Sequence, residues 1–288
     1  MLTENIQHSF PQPFLKWAGG KSRLIQQYLP YFPNNFETYY EPFLGGGAIY
    51  FYFYRYQTLC SLPINSGKTN AFLTDINPEL INAYRCVRDS VDRLIILLEK
   101  HQIRHDKDYY YQVRSLTSGT PLERAARLIY LNKTCFNGLY RENSKGKFNV
   151  PIGKYNNPKI YHPDLLFSVS NALQSAQIEV RHFDAVLDYA KTAQDFVYFD
   201  PPYYPLSPTS NFTAYSSYSF NEKDQLKLKD TFTQLAQRGV KVMLSNSDCS
   251  FIREQYREFN IYQISAARAI NSNTKKRGKI AEVLVTSY

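Results

Sequence analysis

The sharpest chemical signal in the chain is Asp200-Pro201-Pro202-Tyr203. It closes the run Asp195-Phe196-Val197-Tyr198-Phe199, whose apolar core is the kind a central parallel strand shows. Proline has no N–H to donate and stiffens the turn, so the carbonyls of Asp200 and Pro201 are left as fixed acceptors. A carboxylate and a rigid carbonyl can together accept both hydrogens of an exocyclic amino group, and Tyr203 can stack on the ring that carries it. Those residue types suit a receptor for a planar aminated base drawn out of a helix. A proline-rich turn after a core strand is the alternative reading.

Weaker signals lie upstream. Gly45-Gly46-Gly47 follows a short strand and precedes a helical stretch, so backbone can approach a ligand beside a helix N-terminus, or the glycines can serve tight packing. The triplet fails the dinucleotide fingerprint, because the third glycine position is Tyr50. Gly19-Gly20-Lys21-Ser22 likewise fails as a phosphate loop, since position 15 is Leu. Asp75 ends the next strand, where α/β proteins place a carboxylate for ribose hydroxyls, or it caps the helix starting near Pro78. His101 and His105 share a helical face, but position 102 is Gln, so the pair reads as solvated and no metal is expected.

The elements that must position these groups alternate. Strands are expected at Phe36–Tyr40, Ala71–Thr74, Asp195–Asp200, Val240–Leu244 and Ala281–Thr286, and a helix at Ala48–Tyr56. Asn221 suits the N-cap of a helix carrying Leu228, Phe232, Leu235 and Ala236 and stopping at Gly239. Between Asn77 and about Leu131 the periodicity is helical, followed by a polar basic loop or hairpin over Asn137–Tyr155. Cys60–Asn70 reads as an inserted loop. The whole is an α/β sheet interrupted by a mostly helical insertion.

Composition adds a partner. The 288 residues carry 34 Lys+Arg against 25 Asp+Glu, a net charge of +9, with 25 Tyr, 19 Phe and a single Trp. Excess positive charge favours polyanions through counterion release, and aromatic rings offer stacking surfaces for unpaired bases. No apolar run approaches the roughly 20 residues that span a bilayer. The first residues lack the pattern of a signal peptide, and four scattered cysteines suggest neither a zinc site nor a disulfide scaffold. The expected setting is cytoplasmic. Lys275-Lys276-Arg277-Gly278-Lys279 reads either as a solvated loop or as a phosphate contact.

Four motifs in order resemble the DNA adenine methylase (Dam) family: Phe14-Leu15-Lys16-Trp17-Ala18-Gly19-Gly20-Lys21, Glu41-Pro42-Phe43-Leu44-Gly45-Gly46-Gly47, Asp75-Ile76-Asn77 and Asp200-Pro201-Pro202-Tyr203. The resemblance continues through Asn137-Gly138-Leu139-Tyr140-Arg141, Gly146–Gly153, Tyr204–Ser207, Asn211–Tyr215 and Ser245-Asn246, and so covers nearly the whole chain. It implies a Rossmann-like methyltransferase sheet with a mostly helical DNA-recognition insert carrying a β-hairpin. Residues 1–77 and 162–288 would form the catalytic, S-adenosylmethionine-binding part, and 78–161 the target-recognition part.

Specific roles follow from the resemblance. Trp17 and Lys21, Glu41, Pro42, Phe43, Gly45 and Gly47, Asp75 and Asp200 would contact the cofactor. Asp200, Pro201, Pro202 and Tyr203 would form the catalytic pocket, and Phe136, Asn137, Leu139, Arg141 and Pro151 would meet DNA. The best-known members of the family read GATC, and an arginine at 141 suits bidentate recognition of a guanine edge, so GATC is the expected site. Similar catalytic motifs serve longer sites such as GATATC, and RNA adenines or protein glutamine amides elsewhere. A DNA-binding module with a dead site is a third reading, opposed by the intact motifs. Phe136 stands where relatives often carry Tyr, and the loop at Cys60–Asn70 is longer than in compact members. The expected partner is double-stranded DNA, met by a monomeric enzyme, and a cognate restriction endonuclease acting on the same site is left open.

Overall fold

The computed structural model describes residues 10–59, 71–143, 145–206, 220–267 and 279–288. The expected loop Cys60–Asn70, Ser207 and Asn211–Tyr215 of the matched motifs, and Lys275 to Gly278 of the basic run lie outside the described residues. The chain divides into two compact units. One comprises Met1–Gly20, Gly45–Thr69 and Asn77–Val180; the other comprises Lys21–Leu44, Asn70–Ile76 and Arg181–Tyr288.

The second unit holds the sheet strands β1 (Thr38–Glu41), β2 (Ala71–Asp75), β4 (Asp195–Phe199), β5 (Lys241–Ser247), β6 (Asn260–Ala267) and β7 (Lys279–Thr286). Their order is β2-β1-β4-β5-β7-β6. The first four are mutually parallel, with Tyr39 opposite Ala71 and Phe196, and Val197 opposite Val242. β7 then enters antiparallel between β5 and β6. Every residue of β4 is buried, as its apolar run requires for a strand covered on both faces. Helix α8 (Glu222–Gln237) starts at a capping box in which Asn221 and Asp224 satisfy each other's backbone N–H, and ends before Gly239 at φ 79°. Its Leu228, Phe232 and Leu235 pack into one core with Val197, Phe199, Val242 and Leu244.

The first unit is helical, with α2 (Ala48–Leu59), α3 (Pro78–Asp89), α4 (Val91–Arg104), α5 (Lys107–Ser115), α6 (Pro121–Thr134) and α7 (Pro163–Leu173), followed by β3 (Ala176–Val180). Asn77, not Asp75, caps α3, accepting from the backbone N–H groups of Glu79 and Leu80, so the capping role weighed for Asp75 is excluded. Thr120 and Glu123 form a capping box on α6, whose Ala125, Ala126, Ile129 and Leu131 are buried. The solvated reading of His101 and His105 is corrected. His101 stacks on Tyr130 with ring centroids 4.7 Å apart, and each imidazole Nδ1 meets a tyrosine hydroxyl, Tyr109 at 2.9 Å and Tyr130 at 3.0 Å. Burial drives the pKa of His101 down to about 4.

Candidate active site

Asp200 leaves the carboxyl end of β4 with two partners on one oxygen. Lys21 Nζ lies 2.7 Å from Oδ1, and Ser245 Oγ lies 2.9 Å from the same atom. A carboxylate only accepts, so Ser245 spends its proton on Asp200. The hydroxyl of Tyr198, 3.0 Å from Ser245 Oγ, must then donate to Ser245. Burial raises the pKa of Tyr198, which keeps that donor protonated. Among the described residues no hydrogen bond reaches Asp200 Oδ2 or the Pro201 carbonyl, the two acceptors that the sequence reading assigned to an amino group.

The turn beyond Asp200 is braced from β5 and α8. Gln225 Nε2 donates to the Pro202 carbonyl at 2.9 Å, and its own Oε1 accepts from Asn246 Nδ2 at 3.0 Å. Asn246 Oδ1 accepts the Tyr204 N–H at 3.0 Å, while Ser247 Oγ donates to the Tyr204 carbonyl at 2.7 Å. Gln225, Ser245, Asn246 and Ser247 are all buried. Each lost partner there would strand a buried polar group at about 1–3 kcal/mol. Tyr203 is half-buried; its ring stands over Lys21 Nζ at 4.7 Å, and its hydroxyl donates to Glu282 on β7 at 2.7 Å.

Three carboxylates close three adjacent parallel strands: Glu41 on β1, Asp75 on β2 and Asp200 just past β4. They therefore lie along one edge of the sheet. From β1 the chain steps to β2 on one side, while β4 continues to β5 on the other, so the order reverses between β1 and β4. Open α/β sheets take nucleotides at such a reversal. Glu41 is buried and accepts from the Tyr39 hydroxyl at 3.0 Å. This donor set fits a cationic nucleoside, since carboxylates accept hydroxyl and ammonium hydrogens and offset positive charge. Pro42 is buried, and Phe43 stacks on Phe183 with centroids 5.4 Å apart, which gives that ring a packing role.

Within the helical unit, Trp17 stacks on Tyr140 at 5.3 Å. Gly45 has φ 48°, and a Cβ there would come within 3.0 Å of the indole, so the glycine is required for both reasons. Gly47 is also left-handed, at φ 67°. The hairpin after α6 begins with a single turn at Phe136–Gly138, where Asn137 has φ 56°. Its arms meet through Cys135 opposite Ile152, Glu142 opposite Phe148, and the Asn149 N–H on the Arg141 carbonyl at 3.0 Å. Phe148 and Val150 are buried and anchor it, while Asn137, Arg141, Pro151 and Phe136 are exposed. Leu139 is half-buried. Arg141 Nε is held by Asn149 Oδ1 at 2.7 Å, which aims the guanidinium.

The structure thus brings Asp200, Pro201, Pro202, Tyr203 and Lys21 together around one turn. Phe136, Asn137, Leu139, Arg141 and Pro151 share the hairpin. Sequence reasoning missed Tyr198, Gln225, Ser247 and Glu282, and assigned no role to Ser245 or Asn246. The polar ending Ser245-Asn246-Ser247 of an otherwise apolar strand was the readable signal.

Carboxylates at the reversal point of the four parallel strands, beside a braced acidic turn after β4, suit an α/β enzyme that binds a nucleoside. Residues 17–270 match the family of the D12 class N6 adenine-specific DNA methyltransferases. The chain is 42% identical over 285 residues to the Type II methyltransferase M1.LlaDCHI of Lactococcus lactis subsp. cremoris, covering 96% of this chain and 95% of that one. It is 40% identical to the Type II methyltransferase M.MjaIII of Methanocaldococcus jannaschii, with 96% and 99% covered. Identity to the DNA adenine methylase of Haemophilus influenzae is 35%, with 98% and 95% covered. The chain belongs to the family of N6 adenine-specific DNA methyltransferases. Its substrate is DNA and its activity adenine-specific methylation.

Proposed function

We propose that this chain transfers a methyl group from S-adenosylmethionine to an adenine swung out of duplex DNA, within the site GATC. When bound, S-adenosylmethionine supplies an electrophilic methyl carried by a sulfonium. Asp75 would hold the ribose hydroxyls, Glu41 with Trp17, Lys21, Pro42, Phe43, Gly45 and Gly47 the remainder. Residues 78–161 would read the target, with 1–77 and 162–288 doing the chemistry.

The observation that carries this reading is the one-sided use of Asp200. Lys21 and Ser245 both hold its Oδ1, which leaves Oδ2 and the Pro201 carbonyl as acceptors with no hydrogen-bond partner among the described residues. The adenine amino nitrogen is a poor nucleophile because its lone pair is delocalised into the ring. Accepting its two hydrogens at Oδ2 and the Pro201 oxygen would draw the nitrogen towards tetrahedral geometry and localise that pair towards the methyl. Lys21 already shares the charge of Asp200, so orientation contributes alongside charge stabilisation of the developing ammonium. Transfer breaks the sulfur–methyl bond and would leave S-adenosylhomocysteine as a neutral thioether, while the surplus N6 proton passes to solvent water, because an N-protonated exocyclic amine is strongly acidic. Tyr203 would stack on the extruded ring.

The exposed, pre-aimed Arg141 supports guanine recognition, and exposed Phe136 supports a wedge at the vacated stack. The Type II names of two relatives support pairing with a cognate restriction endonuclease acting on the same site. Tritiated methyl donor incubated with duplexes carrying GATC, GATATC or neither, and with premethylated GATC, tests the reading. Label should enter only the unmethylated GATC duplex; equal labelling of the GATATC duplex lacking GATC would overturn the site assignment.

A further inference from the structure

We propose that Glu282 is a positioning residue for the methyl-accepting base, acting through the hydroxyl of Tyr203. This rests on the base-pocket reading of Asp200–Tyr203 above. The Tyr203 hydroxyl donates to Glu282 Oε2 at 2.7 Å, a length suited to a charge-assisted bond. Glu282 pairs with Ser247 on β5 and with Ile264 on β6, so its backbone is held on both sides by the ladder. Directly opposed residues in an antiparallel pair share a face, and so do alternate residues of one strand. Ser245, Ser247 and Glu282 therefore stand on one face. Each meets the catalytic turn at a different point: the Asp200 carboxylate, the Tyr204 carbonyl and the Tyr203 ring.

The consequence is geometric. A phenol ring on a loop can rotate about χ1 and χ2, and stacking needs one plane. Pinning the para oxygen to a carboxylate on a paired strand removes that freedom at the far end of the ring, while the Lys21 ammonium sits 4.7 Å from its centroid. Tyr203 is then a fixed platform whose plane is set by β7, and its distance to Asp200 is set by β4 and β5. A glutamate inside the apolar strand Ile280-Ala281-Glu282-Val283-Leu284-Val285 gains little from burial, which raises its pKa, and its place there is explained by this bond.

The test compares Glu282→Leu, Glu282→Gln, Tyr203→Phe and the double variant Tyr203→Phe/Glu282→Leu with the parent chain in single-turnover methylation of the duplex. Glu282→Leu and Tyr203→Phe should each slow transfer about ten-fold with an unchanged KM for DNA. The double variant should be no slower than either, because both remove one bond. Glu282→Gln keeps an acceptor and should recover most of the rate. Losses that multiply in the double variant, a rate unchanged in Glu282→Leu, or an effect confined to KM would overturn the proposal. Should Glu282→Leu not fold, Tyr203→Phe and Glu282→Gln still decide it: full activity in Tyr203→Phe, or no recovery in Glu282→Gln, would overturn it. A parent chain that transfers no methyl to DNA would fell the pocket reading itself, whereas an active parent with indifferent variants fells only the role of Glu282.

Discussion

The turn at Asp200–Tyr204 and the hairpin at Phe136–Pro151 are built on opposite principles. The turn is bolted at the Asp200 carboxylate, the Pro202 carbonyl, both backbone groups of Tyr204 and the Tyr203 hydroxyl, mostly by side chains that are themselves buried. The hairpin has its anchors, Phe148 and Val150, on one arm, and most of its matched residues are exposed. On the proposed function the turn handles a nitrogen lone pair, chemistry that tolerates little misplacement, and its groups are preorganised. On the same proposal the hairpin reads a groove, which needs side chains in solvent, and Arg141 stands there exposed but held by Asn149.

That contrast can be broken most forcefully at Asp200. Asp200→Ala should lower the single-turnover rate by about a thousand-fold or more while leaving duplex affinity near that of the parent; rapid-quench transfer alongside a binding titration checks both. Tyr203→Ala should cost more than Tyr203→Phe, since the platform goes as well as its pin, and the same assay ranks them. Gln225→Leu leaves the buried Asn246 amide without its acceptor and the Pro202 carbonyl without its donor, and should cost about 1–3 kcal/mol in denaturant unfolding without altering site choice. Arg141→Ala should do the reverse, losing about 1–3 kcal/mol of discrimination at one base pair with unfolding unchanged, as read from competing duplexes.

The smallest expected effect is on pH. Folded His101 has a pKa of about 4 because burial disfavours its charged form, against about 6.5 unfolded. Between those values the unfolded chain binds more protons, so the contribution of His101 is full above pH 6.5 and is lost as pH falls towards 4. The stability contributed by His101 should disappear over that window, and His101→Phe should flatten the curve. Hydrogen exchange followed from pH 7 to 4.5 should show α4 and α6 losing protection before β4 and β5.

Much of this was legible from residue order. The buried run before Asp200, the Asn221 cap and the glycine stop at 239 rest on local rules, and the structure places β4 and α8 within a residue or two of expectation. The strand expected at Phe36–Tyr40 shifts to Thr38–Glu41, which sets Glu41 at its end. What escaped is long-range. Nothing local in Glu282 points to a ring 79 residues earlier in the chain, and Gln225 is an unremarkable polar residue until α8 turns it towards Pro202. His101 and His105 read as solvated for want of a metal motif, whereas the face of His101 is closed by Tyr109 and Tyr130 from other helices.

Trp17 is the chain's single tryptophan, and it rests between the Gly45 turn and Tyr140 of the hairpin strand. Indole emission from this protein therefore has one source, at a residue proposed above to contact the donor and stacked on Tyr140 of the hairpin proposed to read DNA. The molecule carries its own optical gauge: a shift in that emission on adding donor or duplex would time each binding event without any attached dye.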